Sequence, residues 1–113
     1  MKDVWTWLPL TAVVAWIMLT RMGKVPRQRA HQLVDAGALL LDVRSESEFA
    51  SGHVPGATNV PLDRLSARAQ ALAQERRPIV VYCASGVRSA AARRVLRKAG
   101  VDEVYDMGAM SRW

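Results

Sequence analysis

Two short apolar runs constrain the fold more than anything else in the chain. Leu39-Leu40-Leu41 stops at Asp42, and Ile79-Val80-Val81-Tyr82 stops at Cys83. A strand with one face in water alternates apolar and polar side chains, whereas an unbroken apolar run suits a strand buried on both faces. Strands of that kind belong to parallel sheets covered by helices, and helical spacing lies around both runs. Residues 27–36 put Ala30, Leu33 and Val34 on one face, with Pro26 placed to start a helix and Gly37 to end it. Residues 62–75 repeat Leu62, Leu65, Ala69 and Leu72 at helical intervals. Residues 88–99 place Ala91, Ala92, Val95, Leu96 and Ala99 inward, and Arg93, Arg94, Arg97 and Lys98 outward, before a stop at Gly100. A short helical turn and a Gly/Pro loop occupy 45–56. Further strands are expected over 57–60, ended by Pro61, and over 103–106. This alternation predicts an α/β domain with a central, mainly parallel sheet flanked by helices. Ligands of such sheets bind at the carboxyl ends of the strands, where Asp42 and Cys83 stand.

A chain of 113 residues has room for one such domain, expected over 24–113, and a short appendage over 1–23. Residues 4–20 carry no charge. As a helix that run is about 25 Å long, at the short end of what spans a hydrocarbon core of about 30 Å. Trp5, Trp7 and Trp16 suit the interfaces, and Arg21 can snorkel to the headgroups. A secretory signal is disfavoured, because Lys2 and Asp3 cancel ahead of the run and no small-x-small cleavage site follows it. One N-terminal transmembrane helix in contact with membrane lipid is therefore expected. Arg21, Lys24, Arg27 and Arg29 follow the run while only Lys2 precedes it, which predicts an outside N-terminus and a cytoplasmic domain.

The net charge of +6 comes mainly from thirteen arginines. No aromatic-interleaved basic stretch or nucleic-acid motif accompanies them, so nucleic acid is not an expected partner. Arg93, Arg94, Arg97 and Lys98 read as a solvated face, or with Arg27 and Arg29 as one lying against anionic lipid. The single cysteine excludes an intrachain disulfide, and no Cys/His cluster offers a metal site.

Chemistry concentrates between Cys83 and Ser89. An apolar strand delivers Cys83, the residues Ala84, Ser85, Gly86 and Val87 turn, and Arg88 opens a helix. Loop N–H groups can form an anion-binding concavity, the helix N-terminus adds partial positive charge, and Arg88 adds a full one. All favour thiolate over thiol. An ordinary cysteine with a pKa near 8.5 is only about 3% ionised at neutral pH. The expected site is thus a charged sulfur, open at the end of its strand, with Cys83 as nucleophile.

These residues resemble the rhodanese family, over about 26–113. Leu41-Asp42-Val43-Arg44, with Glu48-Phe49, Gly52-His53-Val54-Pro55-Gly56-Ala57 and Asn59-Val60-Pro61-Leu62, looks like the family's first signature block. Cys83 to Ser89 looks like its active-site loop, and Met107-Gly108-Ala109-Met110-Ser111-Arg112-Trp113 is similar to its closing Gly-Gly-x-x-x-Trp motif. The resemblance implies a rhodanese-like domain acting as a sulfurtransferase. Cys83 would take a sulfane sulfur from a small anionic donor such as thiosulfate, become a persulfide, and pass the sulfur to a thiol or other thiophilic acceptor. Backbone N–H groups of residues 84–88 would cradle the sulfur, and Arg88 would help bind the donor. No metal or organic cofactor is implied. Asp42 and Arg44 are candidate site-shaping residues, with structural pairing to loop N–H groups or Glu48 as the favoured alternative, and His53 is expected to fix its loop. The loop of six residues from Cys83 to Arg88 resembles the sulfur-transferring members. Phosphatase and arsenate reductase relatives typically use one more. Ala84 stands where some thiosulfate-using relatives carry a basic residue, and Ala109 replaces the usual second glycine. A persulfide carrier or interaction module with little turnover is the alternative.

Overall fold

The computed structural model describes residues 9–15 and 23–113. Residues 9–15 are helical, and among the described residues no helix is long and apolar enough to cross a membrane. The spanning helix expected over 4–20 falls, apart from 9–15, outside the described residues.

From residue 23 the chain runs α1 (Arg27–Asp35), β1 (Leu39–Asp42), α2 (Glu46–Ser51), β2 (Thr58–Asn59), α3 (Leu62–Gln74), β3 (Ile79–Cys83), α4 (Val87–Lys98) and β4 (Val104–Ala109). A 3-10 turn, Met110–Arg112, follows. The strands form one sheet in the order β2-β1-β3-β4, parallel throughout. The two apolar runs are its central strands, and every residue of both is buried, as their lack of alternation requires.

Side chains alternate across the sheet, so each strand feeds two cores. Leu39, Leu41, Val43, Ile79, Val81 and Cys83 face Leu65, Ala69 and Leu72 of α3 and Ala92 and Leu96 of α4. Leu40, Val80, Tyr82 and Met107 face Ala30 and Leu33 of α1. Cys83 thus points to the α3/α4 side, toward the helix that its own loop begins.

Two strands differ from expectation. The second strand shrinks to Thr58–Asn59, because the Ala57 N–H is taken by the Val54 carbonyl at 3.1 Å in a turn. The last strand starts one residue later than expected and runs on to Ala109, with a bulge that sets Asp106 opposite Val81 and Gly108 opposite Tyr82. Arg93 is less free than its place in a charged run implied, since its Nε donates to the Val104 carbonyl at 3.3 Å. Trp113 covers the α1-side core by stacking on His31, ring centroids 3.7 Å apart, and its carbonyl lies 2.9 Å from His31 Nε2.

Candidate active site

The site is built where β3 ends and α4 begins. Cys83 is the last residue of β3, and Gly86, at φ +102°, turns the chain into the helix. That turn brings the Gly86 N–H to 2.9 Å from Cys83 Sγ. Ser89, one helical turn on, is fully buried, and its hydroxyl donates to the Gly86 carbonyl at 3.1 Å. Burial pushes the Cys83 thiol up, but the Ser89 hydroxyl and the N–H groups of Ser89, Gly86 and Ser85 together outweigh it and hold the thiol below its ordinary value. The Ser89 hydroxyl has one proton, so it either closes the loop on the carbonyl or turns to the ionised sulfur.

The expectation of an open sulfur needs correction. Cys83 is 0% exposed, although Ala84 and Ser85 are exposed and Val87 is 75% exposed. The loop tip carries the exposure and the amides close over the sulfur, so a donor meets Sγ only as the loop admits it. Of the amides expected to cradle the sulfur, that of Gly86 is turned to it.

Gly86 holds a backbone conformation that a side chain would strain. Its φ of +102° is the left-handed region, and an added Cβ would meet Lys24 Nζ at 3.5 Å and the Gly108 Cα at 3.7 Å. A Gly86→Ala variant should lose about 1–2 kcal/mol of stability from the backbone conformation. It should also alkylate more slowly at Cys83, because relieving the strain rotates the N–H off sulfur. Thermal melts and iodoacetamide rates measure the two effects separately.

Arg88, expected to help bind the donor, is paired with Glu48. Its Nη1 and Nη2 donate to Glu48 Oε1 at 2.6 Å and Oε2 at 3.0 Å, a two-pronged pair with both side chains 35% exposed. Arg88 also feels the negative charge of Cys83, which adds to Glu48 in raising its pKa. Glu48 is itself fixed by the start of α2, where its carboxylate accepts the Ser45 N–H at 3.0 Å and its own N–H donates to Ser45 Oγ at 3.2 Å. Arg88, foremost, and Ser45 hold the Glu48 carboxyl down to about 2. A group depressed in this way stabilises the fold above its ordinary value near 4.5 and stops doing so as pH falls through about 2. The clamp therefore stays charged across the physiological range. Glu48 was expected at most as a partner of Asp42 or Arg44; the Ser-x-x-Glu spacing at 45–48 is the sequence signal that marks it as a helix cap.

Asp42 and Arg44 find each other. The Asp42 carboxylate accepts the Arg44 N–H at 2.9 Å and the guanidinium at 2.8–3.2 Å, and Arg44 Nη2 reaches on to the Gly52 carbonyl at 2.7 Å. Both are buried, and neither side chain hydrogen-bonds to the Cys83–Arg88 loop. They brace the segment after β1. Tyr82 joins the brace from β3: its hydroxyl accepts the Val54 N–H at 3.1 Å, and the Arg44 guanidinium carbon lies 5.9 Å from its ring centre. His53 stacks on Phe49 and donates to its carbonyl, away from the sulfur, as a loop fastener.

A shallow cleft beside the loop is lined by Val43, Ser47, Pro61, Leu62, Arg64 and Arg88. Among the described residues no group of three or more His, Cys, Asp or Glu side chains could hold a metal ion.

Comparison with known proteins bears on the family and the fold. Residues 26–113 match the family model described as the rhodanese-like domain. The Bacillus subtilis protein YqhL, itself uncharacterised, is 40% identical over 102 residues, which cover 89% of this chain and 80% of YqhL. The thiosulfate sulfurtransferase GlpE of Stutzerimonas stutzeri is 31% identical over 96 residues, covering 84% and 87% of the two chains. Among solved structures, the human single-domain sulfurtransferase TSTD1 superposes with a TM-score of 0.65 at 28% identity, covering 80% of this chain and 91% of that one.

Proposed function

Since the chain belongs to the rhodanese-like domain family, we propose that it is a sulfurtransferase carrying sulfane sulfur as a persulfide on Cys83. The observation that carries the reading is the Gly86 N–H, 2.9 Å from the sulfur of a cysteine that ends a strand just before a helix begins. In the first step the Cys83 thiolate attacks the outer sulfur of thiosulfate. The sulfur–sulfur bond of the donor breaks, and sulfite leaves with the electron pair. In the second step an acceptor thiolate attacks the outer sulfur of the persulfide and Cys83 is released as thiolate. Charge is conserved in both steps, so neither needs an oxidant or a cofactor. The same N–H groups that favour the thiolate would favour the persulfide anion. Arg88 would attract the dianionic donor, and the neighbouring cleft, with an apolar floor and charged rim, would receive the acceptor.

The test is exposure to thiosulfate, followed by mass spectrometry and a sulfite assay. Sulfite release with a gain of about 32 Da on Cys83, one sulfur atom, supports the reading. Sulfite without an adduct, or neither, refutes it. A carrier with little turnover is the second reading, favoured by the complete burial of Cys83 and by Ala84 beside it. It predicts the same adduct with only stoichiometric sulfite.

The Glu48–Arg88 clamp separates binding from folding. Both partners are partly exposed, so Glu48→Gln should cost little stability. It should nevertheless raise the KM for thiosulfate about tenfold, because Arg88 loses its fixed orientation beside the sulfur. Steady-state kinetics beside a thermal melt would show the split.

We further propose that residues 4–20 anchor the domain at the cytoplasmic face of a membrane. The uncharged run and the positive charges that follow it support this, and Leu10, Val13 and Val14 are exposed. In intact cells the C-terminal domain should resist external protease and be cleaved only after permeabilisation.

A further inference from the structure

Residues 23–26 lead into α1. In the fold they form part of the site's support. The Val25 N–H donates to the Asp106 carbonyl at 2.8 Å, and Lys24 pairs with Asp106 as a parallel bridge, so the segment lies along the open side of β4. Asp106 is 3% exposed. One oxygen of its carboxylate accepts the Gly108 N–H at 2.8 Å, and the other holds the Lys24 ammonium at 2.6 Å. From that anchor Lys24 Nζ reaches the Gly86 carbonyl at 3.2 Å.

The Gly86 carbonyl belongs to the rigid peptide unit whose other end is the Val87 N–H, and the two point in opposite directions. Holding the oxygen therefore fixes the direction of the N–H, one of the unpaired donors that open α4. The Ser89 hydroxyl and the Ala90 N–H, at 3.1 and 3.3 Å, grip the same oxygen from inside the helix. Among the described residues, Lys24 is the only grip from outside it. Gly86 also carries the N–H bonded to Cys83 Sγ, on the peptide just before, so the two bonds meet at one Cα.

We propose that Lys24, set by the buried carboxylate of Asp106, is a positioning residue of the sulfur-carrying loop, so that the register of the N-terminal segment controls the reactivity of Cys83. The role in sulfur transfer rests on the function proposed above; the role in setting the thiol does not. Displacing the linker by one residue would withdraw the ammonium from the loop and leave the sheet intact.

The test uses the full chain. Lys24→Met alone strands a buried carboxylate and can unfold the domain, so the deciding variant is Lys24→Met/Asp106→Asn, which removes both charges. Lys24→Arg keeps a cationic donor. Two readouts are needed: the pH profile of Cys83 alkylation by iodoacetamide, and the rate of sulfur loading from thiosulfate, each beside a thermal melt. In the double variant the alkylation midpoint should move to higher pH, with alkylation and loading at neutral pH about tenfold slower, as for loss of one charge-assisted hydrogen bond. Lys24→Arg should stay within about twofold of wild type in both, the donor and its charge being kept. A folded double variant with the wild-type profile overturns the proposal, as does an equal loss in Lys24→Arg. If wild type takes no sulfur from thiosulfate, the sulfurtransferase reading fails, while the alkylation profile still decides the role of Lys24.

Discussion

Cys83→Ala is expected to abolish sulfur transfer, lowering turnover with thiosulfate at least about a thousandfold, because removing a covalent nucleophile removes the reaction path and not merely a contact. No other thiol exists in the chain to take its place. Cys83 is fully buried, so loss of its sulfur also leaves a small void, at a cost of about 1 kcal/mol. Thermal melting should fall by only a few degrees, which keeps the chemical effect distinct from the structural one. Cys83→Ser sharpens the point. Its oxygen can accept the same Gly86 N–H, yet a hydroxyl stays protonated where the thiol ionises, so the loop should close normally around an inert residue. Sulfite release that survived either change would place the chemistry elsewhere.

Asp42→Ala is expected to have the largest effect on stability. Asp42 is 0% exposed and Arg44 6%, and removing the carboxylate leaves a buried guanidinium without its counter-charge. Breaking such a pair typically costs about 3–5 kcal/mol. In a domain of this size that lowers the melting temperature by on the order of 20 °C. Two further losses act in the same direction: the Arg44 N–H loses its acceptor, and the Arg44 grip on the Gly52 carbonyl loses its base. The double variant Asp42→Leu/Arg44→Met should recover most of the loss, because an apolar pair of similar volume carries no desolvation cost. Chemical denaturation of the three variants measures this directly, and full stability in Asp42→Ala would show that the brace is idle. Since neither residue bonds to the sulfur loop, Cys83 in the recovered double variant should keep its alkylation rate.

Features governed by neighbours in the chain were legible beforehand. Leu39 to Asp42 and Ile79 to Cys83 had no polar face to offer water, so they had to be central strands. A glycine after a strand-borne cysteine and before an arginine had to make a turn with amides near sulfur. The helices followed from spacing, and their ends from Pro26, Gly37 and Gly100. Missed features depend on partners far away in the chain. Glu48 and Arg88 are 40 residues apart, Lys24 and Gly86 are 62 apart, and His31 and Trp113 are 82 apart. The burial of Cys83 escaped for the same reason: whether a loop leaves its sulfur open depends on how tightly α4 seats against the sheet.

The sequence by itself determined the class of fold, the order of its elements and the place of its one thiol at the end of a strand, because periodicity and turn residues are local properties. Only the tertiary structure decided that Arg88 is clamped, that Lys24 reaches the loop and that Asp42 and Arg44 serve the scaffold. The physical reason is that a parallel sheet joins strands distant along the chain, and a charged side chain takes whichever opposite charge that closure brings within reach.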